Sequence, residues 1–346
     1  MDPLTAPRFP PDQVVRRITA EGLSGSRPAV VISGPEEVFV RLREPLAKAE
    51  VRLGKLVSSD VDVVEAVGRY LAEAGGKRLR PMLTALGAGA VGFRGDLPGL
   101  MCVGELIHLG SLLHDDVVDG ADLRRGRPAG HRVFGNAATI LTGDFCLARA
   151  VLLSAEAGGF RAVTELARAV TAMAEGEVLQ LQRAGNLATT LDAYLEMVDK
   201  KSAALIAWSA AAGAYATGNE DAAAALERFG RGVGVAFQVT DDVLDYAEGT
   251  GKRPGADLRE RKLTLPLVHA MQRIPDLRAR LEAASPTEAE VPRLVAEIRM
   301  SGALELALDE ARARVADALS CLECLPPGPD RDSLAVLGSY LVERAT

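Results

Sequence analysis

One pattern recurs along this chain, and its rival is missing. From about residue 41 onward, apolar residues return at helical spacing in segment after segment, separated by short stretches carrying Gly or Pro. No alternating apolar–polar stretch is long enough for a useful strand, and no fixed-period repeat is visible. "SSDVDVVEAVGRYLAEAGG" opens with capping residues and closes on glycines, as a helix does. Long helices are expected over 98–119, 136–157, 160–183, 190–216 and 220–247. Shorter ones follow from 263 to the end, broken by "SPTEAEVP" and "PPGPD". The expected fold class is all-α, a single large helical bundle.

Composition agrees where it bears on the fold. Aromatic residues make up only 4% of the chain, and Ala, Leu, Glu and Arg dominate, which favours helices. Residues 1–40, rich in Pro, Gly and Ser, read as an N-terminal extension, partly disordered, ahead of one domain at 41–346. A net charge of −7 speaks against nonspecific nucleic-acid binding, which needs a basic face. Of four cysteines only Cys321 and Cys324 form a CxxC, and no second pair completes a zinc site. Core packing in a reducing cytoplasm is the expectation. No apolar run is read as approaching the roughly 18 residues of a spanning helix, and no signal-peptide core is seen, so stable membrane insertion is not expected.

The chemistry is concentrated in "LLHDDVVDGADLRRGRP". Asp115, Asp116 and Asp119 stand at i, i+1 and i+4, so the first and last share a helix face one turn apart. A solvated helix end is the bland explanation, but the preceding "LIHLGSLL" is too apolar for one. The spacing also returns in "FQVTDDVLD" at Asp241, Asp242 and Asp245, again after an apolar run. Two clusters that each end a long helix can face each other across a cavity. Their oxygens are hard ligands, and with few His or Cys nearby the natural ion is Mg2+, which bridges carboxylates to substrate phosphates. Basic residues accompany the clusters: Lys77, Arg78 and Arg80 in "GGKRLRP", Arg124 and Arg125, Lys200 and Lys201 in "DKKSAAL", and Lys252 and Lys262 in "GTGKRPGADLRERK". A Gly-rich helix start adds free backbone N–H groups that suit phosphate.

With these motifs in order, together with "GDFCLARA", "GEVLQL" and "DLRERKLTLPL", the chain resembles the trans-isoprenyl diphosphate synthases over about residues 41 to 346. The resemblance implies an isoprenoid-synthase bundle around a central cavity and a Mg2+-dependent condensation of isopentenyl diphosphate with an allylic diphosphate. By motif match, both aspartate clusters would bind the metal. Lys77, Arg80, His108 and Arg125 would hold isopentenyl diphosphate. Arg124, Lys201 and Lys252 would bind the allylic diphosphate, while Gln238 and Lys262 would line the site and orient the clusters. His108 lies seven residues before Asp115, as the family's homoallylic site requires; His114 is assigned no direct contact. The family usually forms homodimers.

Gly110 and Ser111, five and four residues before Asp115, are positions where short-chain members place large aromatics. A glycine inside a helix costs about 1 kcal/mol relative to alanine. Close helix packing would explain Gly110, but an open tunnel floor is the preferred reading, with a C30–C50 precursor of quinone side chains as the product. A C15 or C20 synthase is the nearest alternative. A terpene cyclase is disfavoured because "GGKRLRP" has no purpose there, and an inactive partner subunit because all six aspartates are present. Three departures stand out: a short stretch between Asp245 and Lys252, Arg261 in place of the usual glycine of Glu-Gly-Lys, and Ser202 in place of threonine.

Overall fold

A computed structural model describes residue 32 and residues 34–247 and 254–343. Most of the N-terminal extension, and Lys252, lie outside the described residues. The helices run α1 (Pro35–Leu56), α2 (Asp62–Ala72), α3 (Leu79–Ala90), α4 (Leu97–Val118), α5 (Gly130–Phe134), α6 (Asn136–Arg183) and α7 (Leu191–Val198). A π-helical turn, Asp199–Ala203, then leads into α8 (Ala204–Thr217) and α9 (Glu220–Leu244). Shorter helices follow: α10 (Ala256–Arg259), α11 (Leu265–Arg273), α12 (Leu277–Ala283), α13 (Val291–Met300), α14 (Ala303–Ser320) and α15 (Pro329–Glu343). A two-residue-per-strand hairpin, β1 (Leu123–Arg124) with β2 (Arg127–Pro128), is the one sheet among the described residues.

Local chemistry sets the boundaries. Asp96 caps α4 by accepting the Gly99 N–H at 3.0 Å, and Pro98 occupies the first turn. Asn219 caps α9 through the Ala222 N–H at 3.1 Å, and Gly218 ends α8 in the left-handed conformation. Inside α6, Gly159 has φ 74° and ψ −172°, so the two helices expected at 136–157 and 160–183 meet at a break. The expected 190–216 helix is continuous in direction but contains the π turn. α1 starts at Pro35, inside the span read as extension.

α8 is buried on every face from Ala204 to Tyr215 and is built of small residues that let its neighbours approach. A Cβ on Gly213 would lie 2.4 Å from the Cα of Ala88 in α3. Around α8 and the largely buried α4, residues of α1, α3, α6, α9 and α15 form the main core, with Trp208 donating its indole N–H to the Ala162 carbonyl at 3.0 Å. A second apolar cluster, including Tyr246, Leu258, Leu267 and Ile298, forms under the C-terminal lobe.

One sequence expectation is corrected. α4 and α6 are both long and apolar enough, by length and composition, to cross a membrane, because their apolar windows tolerate an occasional charge. Two-thirds of the α4 window (67%) is buried inside the protein, so its apolarity is core. Only 39% of the α6 window is buried.

Candidate active site

The two aspartate clusters sit at the C-terminal ends of α4 and α9, with Asp119 and Asp245 as the capping residues. That is the end of a helix where backbone carbonyls already concentrate negative charge. Acids there are destabilising unless cations answer them. Asp119, Asp241, Asp242 and Asp245 line one cavity of about 720 Å³, together with Arg124, Lys201, Gln238 and Lys262. The ends of α4 and α9 thus meet across a shared space, as the repeated spacing suggested.

The clusters are held differently. Asp116 is fully buried; its Oδ1 accepts from Arg124 Nε at 2.7 Å and Nη2 at 2.6 Å, while its Oδ2 is buried without a hydrogen-bond partner. Burial, with Glu177 nearby, pushes Asp115 up to about 6. In the second cluster the Tyr194 hydroxyl donates to Asp242 Oδ2 at 2.5 Å, and Gln238 Nε2 donates to Oδ1 at 2.8 Å. Ser202 in turn donates to Gln238 Oε1 at 2.9 Å, so the serine that replaces threonine keeps a hydroxyl in the network. Burial raises both Asp242 and Asp257 above the usual carboxylate range; Asp241 and Asp245 push Asp242 further, and Asp242 and Asp245 push Asp257. Asp245 accepts the backbone N–H of Ala256 at 3.2 Å on one oxygen and that of Asp257 at 3.1 Å on the other, which caps α10.

Lysines bridge the space. Lys77 Nζ lies 3.1 Å from Asp241 Oδ1, and Lys262 Nζ lies 4.0 Å from Asp119 Oδ2 and 2.6 Å from Glu260. Lys201 projects from the π turn, where Gly176 of α6 permits a close approach: a Cβ there would lie 2.4 Å from the Lys201 nitrogen. Its Nζ meets Glu177 at 2.5 Å and Gln180 Oε1 at 3.1 Å. Lys200 points elsewhere, to Glu175.

Beside this cavity lies a cluster of basic side chains. Arg125 adopts φ 52° in the β1–β2 turn, which sends it away from Arg124. Its guanidinium reaches Gly76, where an added Cβ would lie 3.2 Å from Nη2. Arg78 is tied to Glu50 and to the buried Glu105, leaving it a structural role. Arg80 has a buried Nε without a partner, and burial pulls its guanidinium below the ordinary range, with Arg125 adding to the effect. Burial and then Arg80, Arg125, Arg124 and Arg78 hold His108 well below the usual imidazole range, so it stays neutral. With Arg78 and Arg124 already paired to carboxylates, Arg80 and Arg125 beside a neutral imidazole suit an anionic ligand.

Arg124, Lys201, Gln238, Lys262, Asp119, Asp241, Asp242 and Asp245 therefore line one cavity, Lys77 reaches it through Asp241, and Arg80, His108 and Arg125 gather in a basic cluster. Gly110 differs from its preferred reading: it faces α6, and a Cβ there would lie 2.9 Å from the Gly143 carbonyl oxygen and 3.3 Å from Leu147. Close helix packing accounts for this glycine. Ser111 is half-buried, and its hydroxyl donates to the His108 carbonyl at 3.0 Å. Sequence reasoning assigned no role to Glu177, Gln180, Tyr194 or Asp257. The i, i+3 spacing of Glu177 and Gln180 in "GEVLQL" was a usable signal; Tyr194 offered none.

All donors facing the larger cavity from the clusters are oxygens, which suits a hard divalent cation. Among the described residues no group of three or more His, Cys, Asp or Glu side chains converges on one point.

The sequence pattern described as "Polyprenyl synthetase" matches residues 61–298. The chain is 36% identical to the octaprenyl diphosphate synthase of Haemophilus influenzae, over 88% of this chain and 95% of that one. The solved polyprenyl synthase of Caulobacter crescentus, complexed with calcium and isoprenyl diphosphate, superposes with a TM-score of 0.85 at 38% identity, covering 91% of this chain and all of that one. A decaprenyl diphosphate synthase from Rhodobacter capsulatus superposes with a TM-score of 0.83 at 38% identity, over 90% and 99% of the two chains.

Proposed function

The chain belongs to the polyprenyl synthetase family and is a prenyltransferase; we propose that it extends an allylic diphosphate with isopentenyl diphosphate to an all-trans product of C30–C50, a precursor of quinone side chains. The observation that carries this reading is the meeting of two acidic helix ends across one cavity, beside a cluster of basic side chains. The long product follows the octaprenyl and decaprenyl activities named for the relatives.

Arg80, Arg125, Lys77 and neutral His108 bind the diphosphate of isopentenyl diphosphate and hold its double bond toward the larger cavity. Arg124, Lys201 and Lys252 bind the allylic diphosphate, and Gln238 and Lys262 orient the clusters around it. Asp115, Asp116, Asp119, Asp241 and Asp242 hold Mg2+, and Asp245 supports them through its hold on α10. The orphaned Oδ2 of Asp116 and the raised Asp115 and Asp242 are carboxylates short of a cation, which is the fit expected of such a site. When bound, the ion supplies Lewis-acid stabilisation of the leaving diphosphate and a template for its oxygens. The allylic C–O bond ionises, the double bond attacks the carbocation, and the departing diphosphate takes the proton. The apolar bundle around the site excludes water that would quench the cation.

The same reading includes a homodimer in the cytoplasm. Ile140, Leu141, Val151, Leu152, Phe160, Val178 and Leu181 are exposed along α6, and Phe160 is 86% exposed. A second copy packed against α6 would take several of these side chains out of water. Light scattering of wild type and of Phe160→Asp tests it: a dimer that weakens on substitution supports this face, and a wild-type monomer removes it.

The activity is tested by incubating the protein with Mg2+, labelled isopentenyl diphosphate and farnesyl or geranylgeranyl diphosphate, then sizing the dephosphorylated products. A ladder ending at C30–C50 supports the proposal. A stop at C20 keeps the chemistry and refutes the long product, and no incorporation with any primer refutes the reaction.

A further inference from the structure

Two loops flank the larger cavity. After α6, Ala184 and Thr189 line it; between α10 and α11, Glu260, Lys262 and Leu263 do so. The loops are joined through Arg261. The Gly185 N–H donates to the Arg261 carbonyl at 3.2 Å. A Cβ placed on Gly185 would lie 3.5 Å from each of Cζ, Nε and Nη2 of the same arginine. A point equally distant from three atoms of a flat group, and this far from all of them, lies over its face. The guanidinium therefore turns its flat face to Gly185 at ordinary contact distance, and the φ of 72° is what favours glycine there.

Arg261 holds this contact at φ 54°, a conformation that L side chains rarely adopt. A strained residue persists only where its surroundings over-determine it, and such outliers gather at functional sites. Here the turn carries the Arg261 side chain outward over Gly185, while the next residue, Lys262, enters the cavity beside Asp119.

We propose that Arg261 is a positioning residue: its flat guanidinium straps the 260–263 loop to the loop after α6 and so holds Lys262 at the cation-and-diphosphate site. The proposal rests on the reading of Lys262 given above. Lysine at 261 would keep the charge and lose the flat face, so stacking and charge predict different outcomes.

The test compares wild type with Arg261→Gly, Arg261→Lys and Lys262→Ala. Hydrogen exchange is followed in peptides spanning 184–190 and 260–264, and KM for the allylic diphosphate is read separately from kcat. Glycine relaxes the backbone, so Arg261→Gly folds with no loss in melting temperature. Its exchange at 184–190 rises about tenfold, and its KM rises roughly fivefold with kcat little changed. Arg261→Lys follows Arg261→Gly on both measures. Wild-type exchange and KM in Arg261→Gly overturn the strap. An Arg261→Lys protein that matches wild type overturns it as well, because charge alone would then suffice. Lys262→Ala separates the two layers: an unchanged KM there refutes the role of Lys262, while the exchange data still decide whether the strap exists.

Discussion

The two aspartate clusters share a spacing and a place at a helix end, yet the protein treats them differently. The cluster after α4 is loosely held, with Asp116 gripped on one oxygen by Arg124 and its other oxygen orphaned. The cluster after α9 is knitted in: Tyr194 and Gln238 hold Asp242, Lys77 reaches Asp241, and Asp245 caps the next helix. Identical motifs can thus divide labour, one keeping a carboxylate oxygen unmet, the other serving also as framework. A sequence motif states which atoms are offered, and the neighbours decide how many of them are still available.

Breaking either cluster at its leading aspartate gives the largest effect. Asp115→Ala and Asp241→Ala should each lower Mg2+-dependent condensation by about 10³-fold or more, since Lewis-acid stabilisation is worth several kcal/mol. Circular dichroism should show an unchanged fold, and retained turnover would falsify the metal assignment. Next come the bracing groups. Tyr194→Phe removes a hydrogen bond to a buried carboxylate, and metal titration should show affinity weakened by about 10–100-fold.

The third aspartates sharpen the contrast. Asp245→Ala should cost about 1 kcal/mol of stability as a lost cap, read by urea denaturation, whereas Asp119→Ala should lower activity and leave stability within about 0.5 kcal/mol. Equal behaviour of the two would erase the proposed division of labour. Gly110→Ala should destabilise by about 1–3 kcal/mol through overpacking against Gly143. Ser111→Phe should shorten the product, and an unchanged length distribution would take Ser111 out of the tunnel.

The smallest effect is with pH. Asp115 is raised from 3.8 to about 6 in the folded chain, so between these values the native state binds the extra proton. Metal-free protein should lose this contribution as pH rises from about 4 to about 6. Mg2+ selects the ionised form, so its half-saturating concentration should fall over the same window and level off above it. Calorimetry in chelator and in Mg2+ reads both trends, and a metal affinity flat across that window would contradict them.

Much of this was legible in the sequence because it was local. The break at Gly159 and the paired aspartate spacing are both written within a few positions of where they act, whereas the capping residues read before α2 do not cap it: that helix starts after Val61 with no side-chain cap. What escaped depended on distant partners. Tyr194 reaches Asp242 from 48 positions away, and Gly110 is glycine because of Gly143 on another helix. The membrane-length character of α4 and α6 escaped for another reason: an unbroken apolar run is a stricter test than an apolar helix face. Arg78 carries the same charge as its neighbours in "GGKRLRP", and only the positions of Glu50 and Glu105 set it apart.

The carboxylate of Asp245 belongs to two structures at once. Its oxygens begin α10, and α10 contributes Leu258 to the apolar cluster of the C-terminal lobe. Whatever loads the acidic helix end therefore favours the ordered start of α10, and by reciprocity an ordered lobe tightens the hold on the ion. Removing the cation with a chelator should accordingly quicken exchange in a part of the molecule that never touches it.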